Sequence, residues 1–267
     1  MTAEPLTLPS SEDHADAPVK IGLLGPVQMP GGPVPTSRME RQTLALLAWQ
    51  VNTLTTAGLI IKELWERAPR HAAQSVQTYV YHLRQRLPSL NIQTRPGGYL
   101  LYSRSTLDVD VHRFDYLTGL ARAALSAGAL RRAEDCLRAA FSLWRGPALA
   151  DTPLGAELSA LVTGVEERRL SALDLRFEVD LRLGRHREVV DELSALARRN
   201  PAREDTTAKL MLALYRSNRR AEALGAYMRL RQELVAVCGL EPCADLRRLQ
   251  QQVLAGDPSL EWIGGAS

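Results

Sequence analysis

Several residue types are scarce in this 267-residue chain. Only three lysines stand against 30 arginines, and aromatic residues make up 5%. Three cysteines, Cys136, Cys238 and Cys243, do not form an even framework, and none lies in a CxxC pair. Cys238 and Cys243 are close enough in sequence to be bridged, but a reduced pair fits this setting better. The five histidines are scattered, so no metal-ligand cluster forms. No GxxxxGK[ST], GxGxxG or GxSxG occurs, which leaves nothing to argue for nucleotide binding or a hydrolase elbow. No run approaches the roughly 18 apolar residues of a membrane span. The first basic residue is Lys20, after four acids, so the start lacks a signal peptide's basic region and a cytoplasmic protein is expected.

Charge of one sign is also missing locally. Residues 1–18 carry Glu4, Glu12, Asp13 and Asp16 with no Lys or Arg. Residues 19–105 carry ten Lys or Arg against Glu40, Glu63 and Glu66, a net of +7. Residues 106–267 hold 23 of each sign. Between Glu66 and Asp108 there is no acid at all, while Arg67, Arg70, Arg84, Arg86, Arg95 and Arg104 fall there. A one-sign segment in an otherwise balanced chain is an electrostatic footprint for a polyanion.

The segment patterns give this footprint a shape. Residues 1–18 are polar and acidic and read as a disordered tail. KIGLLGPVQM from Lys20 reads as a strand pair broken at Gly25-Pro26. Thr36 or Ser37 can cap a first helix, with Glu40 in capping-box position and Leu44, Leu47, Ala48 and Val51 on its apolar face. A second helix starts near Thr55 or Thr56, carries Leu59, Ile60, Leu64 and Trp65 inward, and is stopped by Pro69. In SVQTYVYHLRQRL, Val76, Val80, Leu83 and Leu87 form one helical stripe, and Pro88 ends it. NIQTRPGGYLLY reads as a hairpin around Pro96-Gly97-Gly98. Strands, three helices and a hairpin make a winged helix-turn-helix.

From about Asp110 the pattern is helical throughout. AGALRRAEDCLRAA, LGRHREVVDELSAL and SNRRAEALGAYMRL repeat one phrase: turn, basic pair, acid, apolar stripe. The last two lie 34 residues apart, the tetratricopeptide period. The expected fold is therefore mostly α: an N-terminal winged helix-turn-helix (α+β), followed by an all-α tetratricopeptide-like helical domain. The expected boundaries are a tail at 1–18, the winged domain at 19–107, the helical domain at 108–256 and a C-terminal tail at 257–267.

Opposite the apolar stripe of the third helix lie Gln74, Gln77, Thr78, Tyr81, His82 and Gln85, the amide, hydroxyl and ring groups that read base edges in a major groove. A solvated helix would carry both signs of charge. Arg67, Arg70, Arg84, Arg86 and Arg104 are candidate phosphate contacts, which set affinity and register. Arg95 beside the hairpin tip is placed to enter a minor groove, or stands as an exposed loop arginine. No catalytic residue, metal ligand or cofactor is expected, and an enzyme is the weakest class.

LLGPV, ELW, SVQTYVYHLRQRL and TRPGGYLL, with LWRGPALAD at 143–151, KLMLALYRSNRRAEALGAY and GLEPCADLRRLQQQVL, resemble the Streptomyces antibiotic regulatory protein (SARP) family. The similarity covers about residues 20–256 and is to its small members, which pair an OmpR/PhoB-type winged domain with a bacterial transcriptional activation domain. Two departures stand out. Gly58 and Leu59 occupy the place of an acid-Arg pair early in the second helix, and the tip RPGGYL lacks the second arginine common in the family, which leaves Arg95 as the wing's contact. The resemblance implies an activator of secondary-metabolite genes that binds direct repeats of double-stranded promoter DNA near the −35 region. It also implies two protomers in tandem, contacts to RNA polymerase holoenzyme and its sigma factor, and residence at the nucleoid. LWRGPALAD would position the second domain for such a contact, or serve as a structural turn at Arg145. The other class of reading is a helical scaffold or effector-binding regulator whose DNA binding is secondary.

Overall fold

The computed structural model describes residues 19–30, 32–103 and 107–262. The acidic stretch 1–18 and Arg104 lie outside the described residues. Ten α-helices and five short strands are found among those described, in keeping with the mostly helical class expected. They fall into two compact units. Residues up to 112 together with 145–161 form the first, and 113–144 with 162 onward form the second.

The first unit runs β1 (Val19–Ile21), α1 (Arg38–Trp49), β2 (Thr55–Thr56), α2 (Ala57–Leu64), α3 (Ala72–Arg86), β3 (Asn91–Arg95), β4 (Gly98–Tyr102) and β5 (Leu107–Val109). Its helices start where hydroxyl caps were expected: Ser37 Oγ accepts from Glu40 N at 3.5 Å and Thr56 Oγ1 from Leu59 N at 3.2 Å. α2 ends at Leu64, before Pro69, because Trp65 turns extended and stacks on Tyr79 of α3 with ring centroids 6.3 Å apart. Leu44 and Leu47 of α1, Ile60 of α2, Val76, Val80 and Leu83 of α3, and Ile92 and Leu101 of the hairpin are all buried. Burying side chains of this size contributes about 1.5–3 kcal/mol each.

Strand pairing differs from expectation in one place. β2, β4 and β3 form an antiparallel sheet with β4 central. A Cβ on Gly98 would fall 2.2 Å from Thr55 O, so the approach of β4 to β2 requires glycine there. KIGLLGPVQM, however, closes on itself only through one bridge, Gly22 to Gln28. The ladder partner of β1 is β5, paired in parallel from Val19–Leu107 to Ile21–Val109. A parallel pair needs a long crossover, here the whole winged core, and no local pattern signals it.

From Arg145 onward, LWRGPALAD packs into this first unit. Arg145 N donates to Leu24 O at 2.8 Å and Leu149 N to Leu23 O at 3.0 Å. The amides of Leu23 and Leu24 donate to the Asp110 carboxylate at 2.7 and 3.0 Å, and Arg145 Nη1 reaches it at 3.3 Å. Asp151 accepts from Val27 N at 2.9 Å and from Arg41 Nη1 at 3.0 Å. Burial raises the Asp110 carboxyl above its ordinary pKa, against the lowering pull of the two amides and Arg145. Further on, Glu63 Oε1 accepts from Gly155 N at 2.7 Å, and Oε2 from Glu157 N and Leu158 N at 2.9 and 3.2 Å. These are the open amides at the start of α6 (Ala156–Arg182).

The second unit contains α4 (Asp110–Ser126) beyond its first turn, α5 (Leu130–Phe141), the remainder of α6, α7 (His186–Arg199), α8 (Glu204–Arg216), α9 (Arg220–Cys238) and α10 (Ala244–Ala255). The three repeated phrases open with the same turn. Gly128, Gly184 and Asn218 are left-handed. The amides of Ala129, Arg185 and Arg219 each bond the carbonyl five residues back, Ala124, Asp180 and Leu214, at 2.9–3.0 Å. That is the Schellman helix stop, shared by all three phrases and used again at Gly256, where the amide of Asp257 bonds Gln252 O at 3.0 Å. Phe177, Leu193, Met211, Leu214, Ala223 and Val253 centre the larger core. All three cysteines are free. No described helix is long and apolar enough to cross a membrane.

Residues 257–262, expected to begin a tail, are packed. Pro258–Leu260 is a one-turn 3-10 helix capped by Asp257, Leu260 is buried, and Arg216 Nε donates to Leu260 O at 2.8 Å. Trp262 lies against the Gly184 turn and sets its ring edge-on to His186 at 5.7 Å. His186 is buried, and neither ring nitrogen has a partner among the described residues.

Two stability changes follow from these contacts. Asp110→Ala orphans two buried amides, and a loss of roughly 3 kcal/mol is expected in urea unfolding; an unchanged midpoint would show that the amides find other acceptors. Burial, then Arg216, pushes the His186 pKa below its ordinary 6.5. The unfolded chain therefore binds the extra proton first. Its contribution to stability is complete above about 6.5 and is lost as pH falls from there towards the depressed folded value. His186→Leu should flatten the pH dependence of the urea midpoint across that window, and an equal slope in both proteins would contradict this.

Candidate nucleic-acid interface

α3 presents two faces with different chemistry. Val76, Val80 and Leu83 point into the core, and Leu87 follows them. Gln74, Gln77, Thr78, Tyr81 and Gln85 are exposed, and Tyr81 keeps 57% of its surface in solvent. Thr78 Oγ1 donates to Gln74 O at 3.1 Å, which uses its proton and leaves its lone pairs and methyl outward. The helix has no acid in its first turn and Arg84 and Arg86 in its last.

Two expected groove residues are held from behind. Glu40 of α1 is 3% exposed. Its Oε1 lies 2.8 Å from His82 Nδ1 and its Oε2 2.5 Å from Arg86 Nη1. Both partners remain nearly half exposed, so each is oriented without being removed from the surface. The Glu40 side chain was expected to reach back and close a capping box. It crosses to α3 instead, because a carboxylate buried beside a guanidinium and an imidazole gains charge-assisted bonds that a lone amide cannot match.

The remaining arginines differ among themselves. Arg84, expected at a phosphate, donates from Nε to Ile92 O and from Nη2 to Thr94 Oγ1, both at 2.9 Å, and so ties α3 to β3. Arg67 and Arg70 are exposed between α2 and α3, with no ion-pair partner among the described residues. Arg95 is exposed at the end of β3, paired in register with Gly98, and its side chain donates to Gln93 Oε1. The hairpin tip turns at Gly97, whose φ of +82° is left-handed. Gln93, half-buried, was not among the expected site residues. Only the hairpin's alternation could have signalled that it shares a strand face with Arg95.

This is one basic surface made from an acid-free helix, the loop before it, whose one acid is Glu66, and a hairpin. Two sequence profiles match the chain: "Transcriptional regulatory protein, C terminal" over residues 31–101 and "Bacterial transcriptional activator domain" over 109–254. The chain is 38% identical to the regulatory protein DnrI of Streptomyces peucetius, covering 92% of this chain and 96% of that one. It is also 38% identical to AfsR of Streptomyces coelicolor, covering 97% of this chain but 26% of AfsR. Among solved structures, Mycobacterium tuberculosis EmbR in complex with a low-affinity phosphopeptide matches with a TM-score of 0.84 at 33% identity, over 90% of this chain and 66% of that one. The chain belongs to the SARP family of transcriptional regulators. The winged helix-turn-helix and the helical domain are thus those of a SARP-type regulator, and α3 is the second helix of its helix-turn-helix.

Glu40 gives a test of how this SARP surface is held. Glu40→Ala leaves Arg86 and His82 without their buried acceptor, and a loss of about 1–2 kcal/mol is expected in thermal or urea unfolding. Glu40→Gln, which keeps one acceptor oxygen, should lose less. Equal stability in all three proteins would mean that the two bonds contribute nothing in solution.

Proposed function

We propose that this chain is a sequence-specific DNA-binding activator that recognises direct repeats near the −35 region of its target promoters. The observation that carries the reading is the exposed, acid-free face of α3, continuous in sequence with unpaired Arg67 and Arg70 and with the hairpin arginine. Gln74, Gln77, Thr78, Tyr81 and Gln85 enter the major groove, where each good contact is worth about 1–3 kcal/mol of discrimination. His82 and Arg86 work at the margin of that face, with Glu40 setting their orientation. Arg67, Arg70, Arg86 and Arg104 contact phosphates, Arg95 reaches the minor groove, and Arg84 serves mainly to fix the hairpin against α3.

Two protomers sit in tandem on one face of the duplex, as repeats one helical turn apart require. The helical domain, over about 108–256, then helps to recruit RNA polymerase holoenzyme through its sigma factor. The target is a secondary-metabolite cluster, a reading that rests on the family and on DnrI as a relative. The protein would act in the cytoplasm, at the nucleoid. A helical scaffold with incidental DNA binding accounts less well for a net of +7 confined to residues 19–105.

Footprinting on promoters beside the chain's own gene should protect direct repeats, and uniform weak protection would sink the proposal. Tyr81→Ala and Gln85→Ala should lose preference for the repeat over random duplex while keeping non-specific binding. Arg67→Ala and Arg70→Ala should weaken both duplexes alike and lower the salt slope of log K by about 0.9 per contact. A slope equal to that of the unmodified protein would remove the residue from the phosphate set.

A further inference from the structure

A cleft of about 340 Å³ opens in the second unit between the end of α5, α6 and α7. Its apolar walls include Phe141 at the end of α5, Trp144 from the chain after it, and Phe177 from α6. Three guanidinium groups line it, Arg169, Arg176 and Arg199, against one carboxylate, Glu192. Arg169 lies 4.3 Å from the centre of the Trp144 ring, and Arg176 4.7 Å from that of Phe177. Cations are thus set against aromatic faces on two sides of one cavity.

The hydrogen bonding inside it is incomplete. Trp144 Nε1 and Arg176 Nε are buried and have no acceptor among the described residues. The Asp180 carboxylate is 3.9 Å from Arg176 Nε, beyond hydrogen-bond reach. Glu192 engages the other end of Arg176, and Glu166 sits a loose 3.5 Å from Arg169. Arg199 is exposed and has no ion-pair partner among the described residues. Native interiors rarely leave donors unmet, and a group that does so asks for an explanation. The larger groove along α7–α9 differs: it carries both signs, and its Arg219 is already held by Glu222 at 2.7 Å.

We propose that this cleft binds a compact aromatic anion, a flat ring bearing a carboxylate or similar oxyanion. The ring stacks among Trp144, Phe141 and the arginine planes. The oxyanion accepts from the exposed Arg199, with Arg169 closing over it. The volume lies at the small end of ligand pockets, about 300–1,000 Å³, which sets the ligand's size. Such a ligand would make the helical unit of this regulator responsive to a small molecule. The site stands on the geometry of that unit alone and does not depend on the DNA reading.

Isothermal titration of the full chain, without DNA, tests this with 2-naphthoate as probe. Its uncharged analogue 2-naphthalenemethanol and inorganic phosphate are the controls. Naphthoate should bind saturably, with both controls at least about tenfold weaker, the factor carried by about 1.4 kcal/mol. Arg199→Gln and Trp144→Phe, each checked for unchanged circular dichroism, should weaken naphthoate by a similar factor. Binding no tighter than the alcohol would mean an apolar crevice only, and binding no tighter than phosphate an ion site only. Either result overturns the proposal, as does no binding at millimolar probe or full affinity in both variants. If Trp144→Phe alone disturbs the spectrum, Arg199→Gln, at an exposed and unpaired position, decides.

Discussion

The basic unit depends on where it puts its few acids. Residues 19–105 contain three, and two of them, Glu40 and Glu63, are buried. A buried carboxylate is tolerated only when its oxygens are fully engaged. Glu63 meets that condition with the open amides of α6 and with Gln42 Nε2 at 3.0 Å. Glu40 meets it with His82 and Arg86. Both negative charges are therefore consumed in holding the framework, and the exposed surface of α3 is left with no acid of its own. The electropositive face comes as much from this inward placement as from the shortage of acidic residues.

The same logic explains why LWRGPALAD packs beside LLGPV. Leu23 and Leu24 are fully buried, so their amides and carbonyls must be satisfied inside the protein. The Asp110 carboxylate takes the two amides, while the amides of Arg145 and Leu149 cover the carbonyls. Gly22 belongs to this arrangement, since a Cβ there would lie 2.5 Å from the Arg145 guanidinium. The turn is structural, and it draws 145–161 into the first unit across a stretch of more than thirty residues that belongs to the second. A linear boundary near 107 could not express that.

What was legible beforehand was whatever repeats over short range. The stripe from Val76 to Leu87, the hairpin around Gly97 and the capping hydroxyls of Ser37 and Thr56 each rest on spacings of a few residues, and each forms. The three helix stops were readable for the same reason, because a left-handed residue and a five-residue hydrogen bond are local devices. Illegible features are those whose partners are remote. Glu40 is 42 and 46 residues from His82 and Arg86, and β1 finds its ladder partner in β5. Packing of 257–262 turns on Leu260 and Trp262 meeting α8 and the Gly184 turn, and nothing in their local pattern marks these contacts.

The groove face follows the same division. Periodicity alone selects Gln74, Thr78, Tyr81 and Gln85, because outward direction is set by 100° per residue. It cannot separate an arginine free to meet a phosphate from one spent on its own fold. Arg84 and Arg86 are two residues apart on one helix, yet Arg84 is fastened to β3 and Arg86 to α1. Arg67 and Arg70 are exposed and have no such ties among the described residues. Affinity from flexible surface cations and register from fixed ones are separate physical tasks. In this chain the arginines divide in the same way: those in the loop before α3 are exposed, and those at its end are bonded to β3 and α1.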